Sequence, residues 1–282
     1  MYIEIKTSAR DFQFFYDIAG EGLPVVNIHG FRLDHRVMKG CFEPVFNGFA
    51  GYKRIYFDLP GMGRTAAPSG FCSSDEMLEA VTAFIDKTLP GGEKFLLTGE
   101  SYGGYMARAL VNKMPRRILG VCLICPVIFA DPRKRKTAEH KVFECDAGLM
   151  DKMEFFDKNQ FASDIVVQTC SVWRRFKSEV IDAMNCSDIA VLDKVWESSY
   201  GLSFDADAFA EPFDKPSMIV CGANDSVTGY EDAFGVLKNF TRASYSVIER
   251  AGHYLQIERP ALFGSLVSDW LERFEIYRNS GH

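Results

Sequence analysis

The chain has 282 residues, a length that suits one large α/β unit carrying an insertion as well as two average domains. Hydrophobic residues make up 47% and charged residues 25%, proportions that exclude collagen-like, disordered and coiled-coil chains and predict a sizeable core. The net charge of −6 gives no general electrostatic reason to bind nucleic acid or an anionic membrane, so neither is an expected partner.

Residues 1–20 scatter Glu4, Lys6, Arg10, Asp11 and Asp17 among apolar positions, so no signal-peptide core is read there and a cytoplasmic address is expected. Within them Tyr2–Lys6 and Phe12–Asp17, separated by a short polar stretch, read as a hairpin. Strands follow at Pro24–Ile28, Arg54–Phe57, Lys94–Leu97 and Leu119–Ile124, most of them trailed by segments long enough for a crossover helix. One such helix spans Ser73–Leu89, with Ser73 and Glu76 at capping-box spacing, and another runs from Tyr102 to Met114. The longest nearly apolar run, Ile118 to Ala130, is broken by Gly120 and Pro126 and falls short of the roughly 20 residues of a membrane span. It contains Cys122 and Cys125 as a CxxC with no second pair at zinc-site spacing, so these read as buried strand residues, and all eight cysteines are expected to be reduced thiols.

From Phe129 to Phe213 the periodicity is helical rather than strand-like, which marks an insertion. Its Phe143, Phe155, Phe156, Phe161, Trp173, Phe176, Trp196 and Tyr200 either line an apolar pocket or form the insertion's own core. The basic run Arg133–Lys136 reads as a solvated helix start or loop, with steering of an anionic substrate as the functional alternative. Strands resume at Ser217–Cys221 and Ser244–Ile248, with a helix starting near Gly229 between them. A last helix over Pro260–Phe274 repeats Leu262, Phe263, Leu266, Val267, Trp270, Leu271 and Phe274 on one face. The expected fold is α/β: a mostly parallel eight-stranded sheet with helices on both faces, residues 1–128 and 214–282 forming the core and 129–213 inserted after the sixth strand.

Gly99-Glu100-Ser101-Tyr102-Gly103 has the pattern GxSxG where a strand meets a helix. A sharp strand-to-helix turn strains the central serine, and only small residues two before and two after it avoid a clash. Serine is a poor nucleophile until a base takes its proton, and that base needs an acid to orient it. Of the five histidines, His253 follows the last strand and so falls at the carboxyl end of the sheet beside Ser101. His35 and His140 fall in helical or loop surface, His282 is terminal, and His29 belongs to a separate motif. Asp225 follows the seventh strand at the same edge, giving the chain order Ser, Asp, His. Asp131, just beyond the sixth strand, competes with it for the role of the acid. An imidazole of ordinary pKa would make activity rise with pH through roughly 6 to 7.

These residues resemble the α/β-hydrolase superfamily over nearly the whole chain outside the insertion. His29-Gly30-Phe31 looks like its HG oxyanion segment, Asp58-Leu59-Pro60-Gly61-Met62-Gly63-Arg64-Thr65 like its DxPGxGxS loop with Thr for Ser, and Ala251-Gly252-His253 with Glu258, Pro260 and Phe263 like its C-terminal pattern. The resemblance implies an oxyanion hole from the backbone N–H groups of Phe31 and Tyr102, and a helical cap formed by the insertion. It implies a cofactor-independent serine hydrolase acting on a small carboxylic ester or related acyl substrate through Ser101, His253 and Asp225. C–C bond hydrolases of ring-cleavage products and proline iminopeptidases share that triad, but usually have a Gly- and Pro-rich segment after HG where this chain has Phe31-Arg32-Leu33-Asp34. A small-molecule receptor with slow or no turnover is the alternative of another class. Gly61 to Ala66 also spells GxGxxA, but Pro68, Ser69 and Gly70 interrupt the helix that a dinucleotide site requires. No HExxH, P-loop or EF-hand pattern is present, so no metal or nucleotide is implied.

Overall fold

The computed structural model describes residues 1–281, and His282 lies outside the described residues. Alternating apolar and polar residues build the N-terminal hairpin of β1 (Tyr2–Lys6) and β2 (Asp11–Ala19), paired antiparallel with Tyr2 opposite Phe15. Then come β3 (Leu23–Ile28), β4 (Tyr52–Phe57), β5 (Phe95–Glu100) and β6 (Ile118–Ile124). The insertion holds the two-residue strands β7 (Glu144–Cys145) and β8 (Val167–Gln168), and β9 (Ser217–Gly222) and β10 (Ala243–Ile248) follow it. The main sheet has eight strands in the order β1-β2-β4-β3-β5-β6-β9-β10, parallel from β4 to β10, with β2 antiparallel to β4.

Both faces of the parallel strands are apolar because both are covered. Val25, Leu96, Cys122 and Val220 point to one face, where α1 (His35–Phe46) packs. Their neighbours Val26, Leu97, Val121 and Ile219 point to the other, beneath α2 (Ser74–Thr88) and α3 (Tyr102–Lys113). Ser73 caps α2 by accepting from Glu76 N at 3.2 Å. The reciprocal half of the capping box is missing, because the Glu76 carboxylate takes the N–H of Cys72 and the guanidinium of Arg10 instead.

The insertion consists of α4 (Ala147–Met150), α5 (Phe155–Asp164), α6 (Cys170–Phe176), a π-turn over Lys177–Ile181, α7 (Asp182–Met184) and α8 (Ile189–Ser198). Its Phe161, Val172, Phe176 and Val180 join the apolar cluster of α1, while Leu192, Val195 and Tyr200 join that of α2 and α3, so it straddles the sheet. It is helical as its periodicity predicts, apart from the β7–β8 ladder, which pairs Glu144 with Val167 and Cys145 with Gln168. After β9 come α9 (Tyr230–Gly235), α10 (Leu255–Glu258) and α11 (Pro260–Asn279). On α11, Phe263, Val267, Trp270, Leu271 and Phe274 are buried against the same face as α1, whereas Leu262 points to solvent. All eight cysteines are free, and Cys41, Cys122, Cys125 and Cys221 are buried. Among the described residues no helix is long and apolar enough to cross a membrane.

Candidate active site

Ser101 links the last residue of β5 to the first of α3 with φ 53° and ψ −114°, a conformation that L-residues rarely adopt. Its backbone is held from both sides: Ser101 N donates to Ile124 O at 2.9 Å, and Ser101 O accepts from Tyr105 N at 3.2 Å and Val127 N at 3.0 Å. The flanking glycines are steric requirements. A Cβ on Gly99 would stand 2.3 Å from Gly103 O, and one on Gly103 would stand 2.1 Å from Ile28 O. The same closeness brings the amino end of α3 against the loop after β3.

The structure brings Ser101, His253 and Asp225 together from three loops at the carboxyl edge of the sheet. His253 Nε2 lies 2.9 Å from Ser101 Oγ, and His253 Nδ1 lies 2.9 Å from Asp225 Oδ2. Asp225 also accepts from Val227 N and Thr228 N, each at 2.8 Å, and from Thr228 Oγ1 at 2.7 Å. Burial works against its charge, but His253 and Thr228 outweigh it and hold the carboxyl below its ordinary range. An ionised Asp225 requires a proton on Nδ1, which leaves Nε2 of the neutral ring free to accept from Ser101. The loops meet closely because a Cβ on Gly222 would lie 2.2 Å from Gly252 O.

Asp131 is placed elsewhere. It caps the short 3₁₀ turn Pro132–Lys134, accepting from Arg133 N at 3.0 Å, and the Arg133 side chain pulls its carboxyl down to about 2. The basic run is accordingly a solvated turn.

His29, His35 and His140 each hold a structural contact. His29 Nε2 accepts from Leu59 N at 3.0 Å, which leaves Nδ1–H to donate to Gly30 O at 2.7 Å, so the ring staples the loop after β3 to the loop after β4. His35 opens α1, as the helical reading expects, and is half-buried, with Nδ1 donating to Asp58 Oδ1 at 2.7 Å. Asp58 also takes Arg64 N at 2.8 Å, and Thr65 Oγ1 accepts from Phe15 N at 2.9 Å, so the threonine supplies the hydroxyl of this loop. Gly61 N bonds Thr65 O at 2.9 Å, closing the GxGxxA segment on itself, and α2 begins only at Ser74. His140 Nε2 meets Ala162 O at 3.0 Å within the insertion.

The rings of Phe31 and Tyr102 pack edge to face, with centroids 5.2 Å apart. Tyr102 is the first residue of α3, so its N–H has no acceptor within the helix. Two rings of the insertion close over this pair. Tyr200 is 5.1 Å from each, and Trp196 is 6.2 Å from Phe31 and 4.6 Å from Tyr200. Phe161, Trp173 and Phe176 instead pack on one another, and Phe155 and Phe156 face solvent.

Two carboxylates stand beside the histidine loop: Glu258, expected as part of the C-terminal pattern, and Glu100, to which the sequence assigned no role. Glu258 accepts from Gly252 N at 2.6 Å and from Val166 N at 2.6 Å, tying β8 of the insertion to the His253 loop. Glu100 is wholly buried at the end of β5, 3.7 Å from His253 Nε2. A carboxylate closing the buried run Phe-Leu-Leu-Thr-Gly-Glu is the signal that marks it. Burial of the ring pulls His253 down, but Asp225, Glu100 and Asp164 overcome this and raise it to about 9, above the ordinary imidazole range expected from sequence.

Two clusters bring ligand-type atoms within metal-binding reach of one another, Cys125 with Asp225 and His253, and Asp34 with His35 and Asp58. Their donors are already committed. Asp225 is engaged as above, Asp34 receives the guanidinium of Arg36 with a shortest contact of 2.6 Å, and burial pushes the Cys125 thiol well up, away from the thiolate that ligation needs.

The chain matches the α/β-hydrolase fold family over residues 24–260. A hydrolase of the α/β superfamily from Oenococcus oeni PSU-1 superimposes with a TM-score of 0.84 at 30% identity, covering 97% of this chain and 99% of that one. Monoacylglycerol lipase ABHD6 of Bos taurus is 22% identical over 96% of this chain and 82% of its own length. A 2-hydroxy-6-oxo-6-(2'-aminophenyl)hexa-2,4-dienoic acid hydrolase of Metapseudomonas resinovorans is 24% identical over 96% and 92%. The chain belongs to the α/β-hydrolase family.

Proposed function

We propose that this protein is a serine hydrolase that cleaves a small, partly apolar carboxylic ester or related acyl compound. The observation that carries the reading is the unbroken relay from Ser101 Oγ through both nitrogens of His253 to Asp225, with both links at 2.9 Å. Ser101 attacks the carbonyl as His253 takes its proton, and Asp225 keeps the ring in the accepting tautomer. The backbone N–H groups of Phe31 and Tyr102 receive the charge that develops on the carbonyl oxygen. His253 then protonates the leaving oxygen, and water releases the acyl group by the same steps. No cofactor is needed for this chemistry.

Residues 129–213 act as a cap in this reading, with Trp196 and Tyr200 forming the apolar wall above Phe31 and Tyr102. A cytoplasmic, reducing setting suits the eight free cysteines.

Cleavage of a C–C bond in a dienoic acid is the second reading, favoured by the likeness to the Metapseudomonas enzyme. Charge speaks for the ester. The ionisable groups acting on His253 are Asp225, Glu100 and Asp164, which repel a carboxylate-bearing substrate. Arg135, beside Tyr200, already donates to the carbonyls of Phe129, Ala130 and Val227.

Hydrolysis of p-nitrophenyl acetate and butyrate, compared with a dienoic acid, separates the two readings. The ester reading expects turnover of the esters that Ser101→Ala abolishes. Preference for the dienoic acid would transfer the assignment to C–C cleavage, and stoichiometric ligand binding without turnover would indicate a receptor.

A further inference from the structure

Glu100 occupies a position that the proposed relay does not use. Its side chain is completely buried, and among the described residues neither carboxylate oxygen has a hydrogen-bond partner. Such a carboxylate is costly unless a charge lies near it. The nearest basic atom is His253 Nε2, at 3.7 Å from Oε1. That nitrogen is the one that faces Ser101 Oγ. The room for Glu100 is made by the HG motif: a Cβ on Gly30 would fall 2.3 Å from Glu100 Oε2. Gly30 thus serves this carboxylate as well as the loop that carries Phe31.

We propose that Glu100 is a positioning residue that acts through His253, its buried carboxylate holding the imidazolium formed each time Ser101 gives up its proton. This rests on the serine hydrolase reading above. In the attack step the Oγ–H bond breaks, the proton moves to Nε2, the Oγ–C bond forms, and the carbonyl π pair moves onto oxygen. The imidazolium then has Asp225 at Nδ1 and Glu100 beside Nε2. When the tetrahedral species collapses, the bond to the leaving oxygen breaks with its electron pair, and that oxygen takes the proton from Nε2. Glu100 has the same charge before and after, so it lowers the energy of the charged state without entering the bond changes.

The surrounding charges fit this role. Burial pushes the Glu100 carboxyl up to about 7, the nearby His253 lowers it, Asp225 raises it again, and the Gly30 peptide offsets part of the rise. His253 faces Asp225 from the loop after β9 and Asp164 from the end of α5. The phenols of Tyr200 and Tyr254 and the thiol of Cys41 complete the titratable groups around Glu100, and burial raises all three, so they are neutral across the working range. At 3.7 Å Glu100 and His253 are close enough for their titrations to be coupled.

The test is the pH profile of kcat/KM on p-nitrophenyl acetate for wild type, Glu100→Gln and Glu100→Asp, with fluorophosphonate labelling of Ser101 measured in parallel. Removal of a charge this close should lower the acidic limb by about one pH unit or more in Glu100→Gln. Glu100→Asp should keep most of the raised limb. A limb in labelled, folded Glu100→Gln that coincides with wild type would overturn the proposal and leave the relay standing. Failure of the wild type to label at Ser101 would instead strike the serine hydrolase reading. Should Glu100→Gln not fold, ¹⁵N titration of the His253 ring in wild type decides: two steps, one of them from Glu100, are expected, and a single step contradicts the role.

Discussion

Ser101 combines a left-handed backbone with a hydroxyl 2.9 Å from His253 Nε2, the arrangement that the proposed attack requires before any substrate arrives. His253 must be neutral to accept a proton, and its surroundings raise it to about 9. The sign follows directly: a base whose pKa is raised is protonated over more of the acidic range. We therefore expect kcat/KM to rise with pH through a limb above the ordinary imidazole value of about 6.5. A plateau already complete at about pH 7 would contradict the electrostatics described for His253. At the same scale the two candidate acids separate. Asp225→Asn should present the wrong ring tautomer and lower kcat by at least about 10²-fold with the fold intact, whereas Asp131→Asn should cost less than about 10-fold. The opposite order would move the acid to Asp131.

At the scale of elements, the turn from β5 into α3 depends on two glycines with different neighbours. Gly103→Ala would drive a Cβ into the carbonyl of Ile28, which is backbone and cannot swing aside. A marked loss of thermal stability is expected, and a melting temperature equal to wild type would show that β3 can yield there. The insertion's two tryptophans differ in the same concrete way. Trp173 packs on Phe161, whereas Trp196 touches Phe31 and Tyr200. Trp173→Ala should therefore cost about 3 kcal/mol of stability. Trp196→Ala should mainly change KM and acyl-chain preference. Equal melting temperatures combined with equal selectivity for the two variants would remove the distinction.

All eight main strands were legible in the sequence within two or three residues, because each is a short apolar or alternating run bounded by polar, glycine or proline residues. The β7–β8 ladder was not, since two-residue strands have no periodicity, and half the capping box failed because Arg10 competes for Glu76. His253 and Asp225 could be read from their positions after strands. Glu258 was visible only as part of the C-terminal pattern and Glu100 had no signal of a role, because what each does comes from burial beside groups distant in sequence.

For the molecule as a whole, chain order and spatial order differ in a way that suits an enclosed site. The insertion leaves the sheet after β6, reaches the core clusters of both faces, and returns to β9. Glu258 fastens it to the His253 loop at Val166, and an ion pair between Arg32 and Asp193 fastens it to the loop carrying Phe31. Ser101 and His253 are only 7% and 6% exposed, so little of either side chain is open to solvent. Larger acyl groups should accordingly be limited by entry, and kcat/KM should fall with chain length once the space beside Trp196 and Tyr200 is filled. Rates that keep rising for long acyl chains would indicate a site more open than this.

An activated Ser101, as proposed, should react covalently with a fluorophosphonate, which needs no knowledge of the substrate. Intact-mass and peptide mass spectrometry should find one adduct per chain, on Ser101, formed slowly in His253→Ala and absent in Ser101→Ala. An adduct that persists in Ser101→Ala, or a wild type that stays unlabelled, would contradict the account.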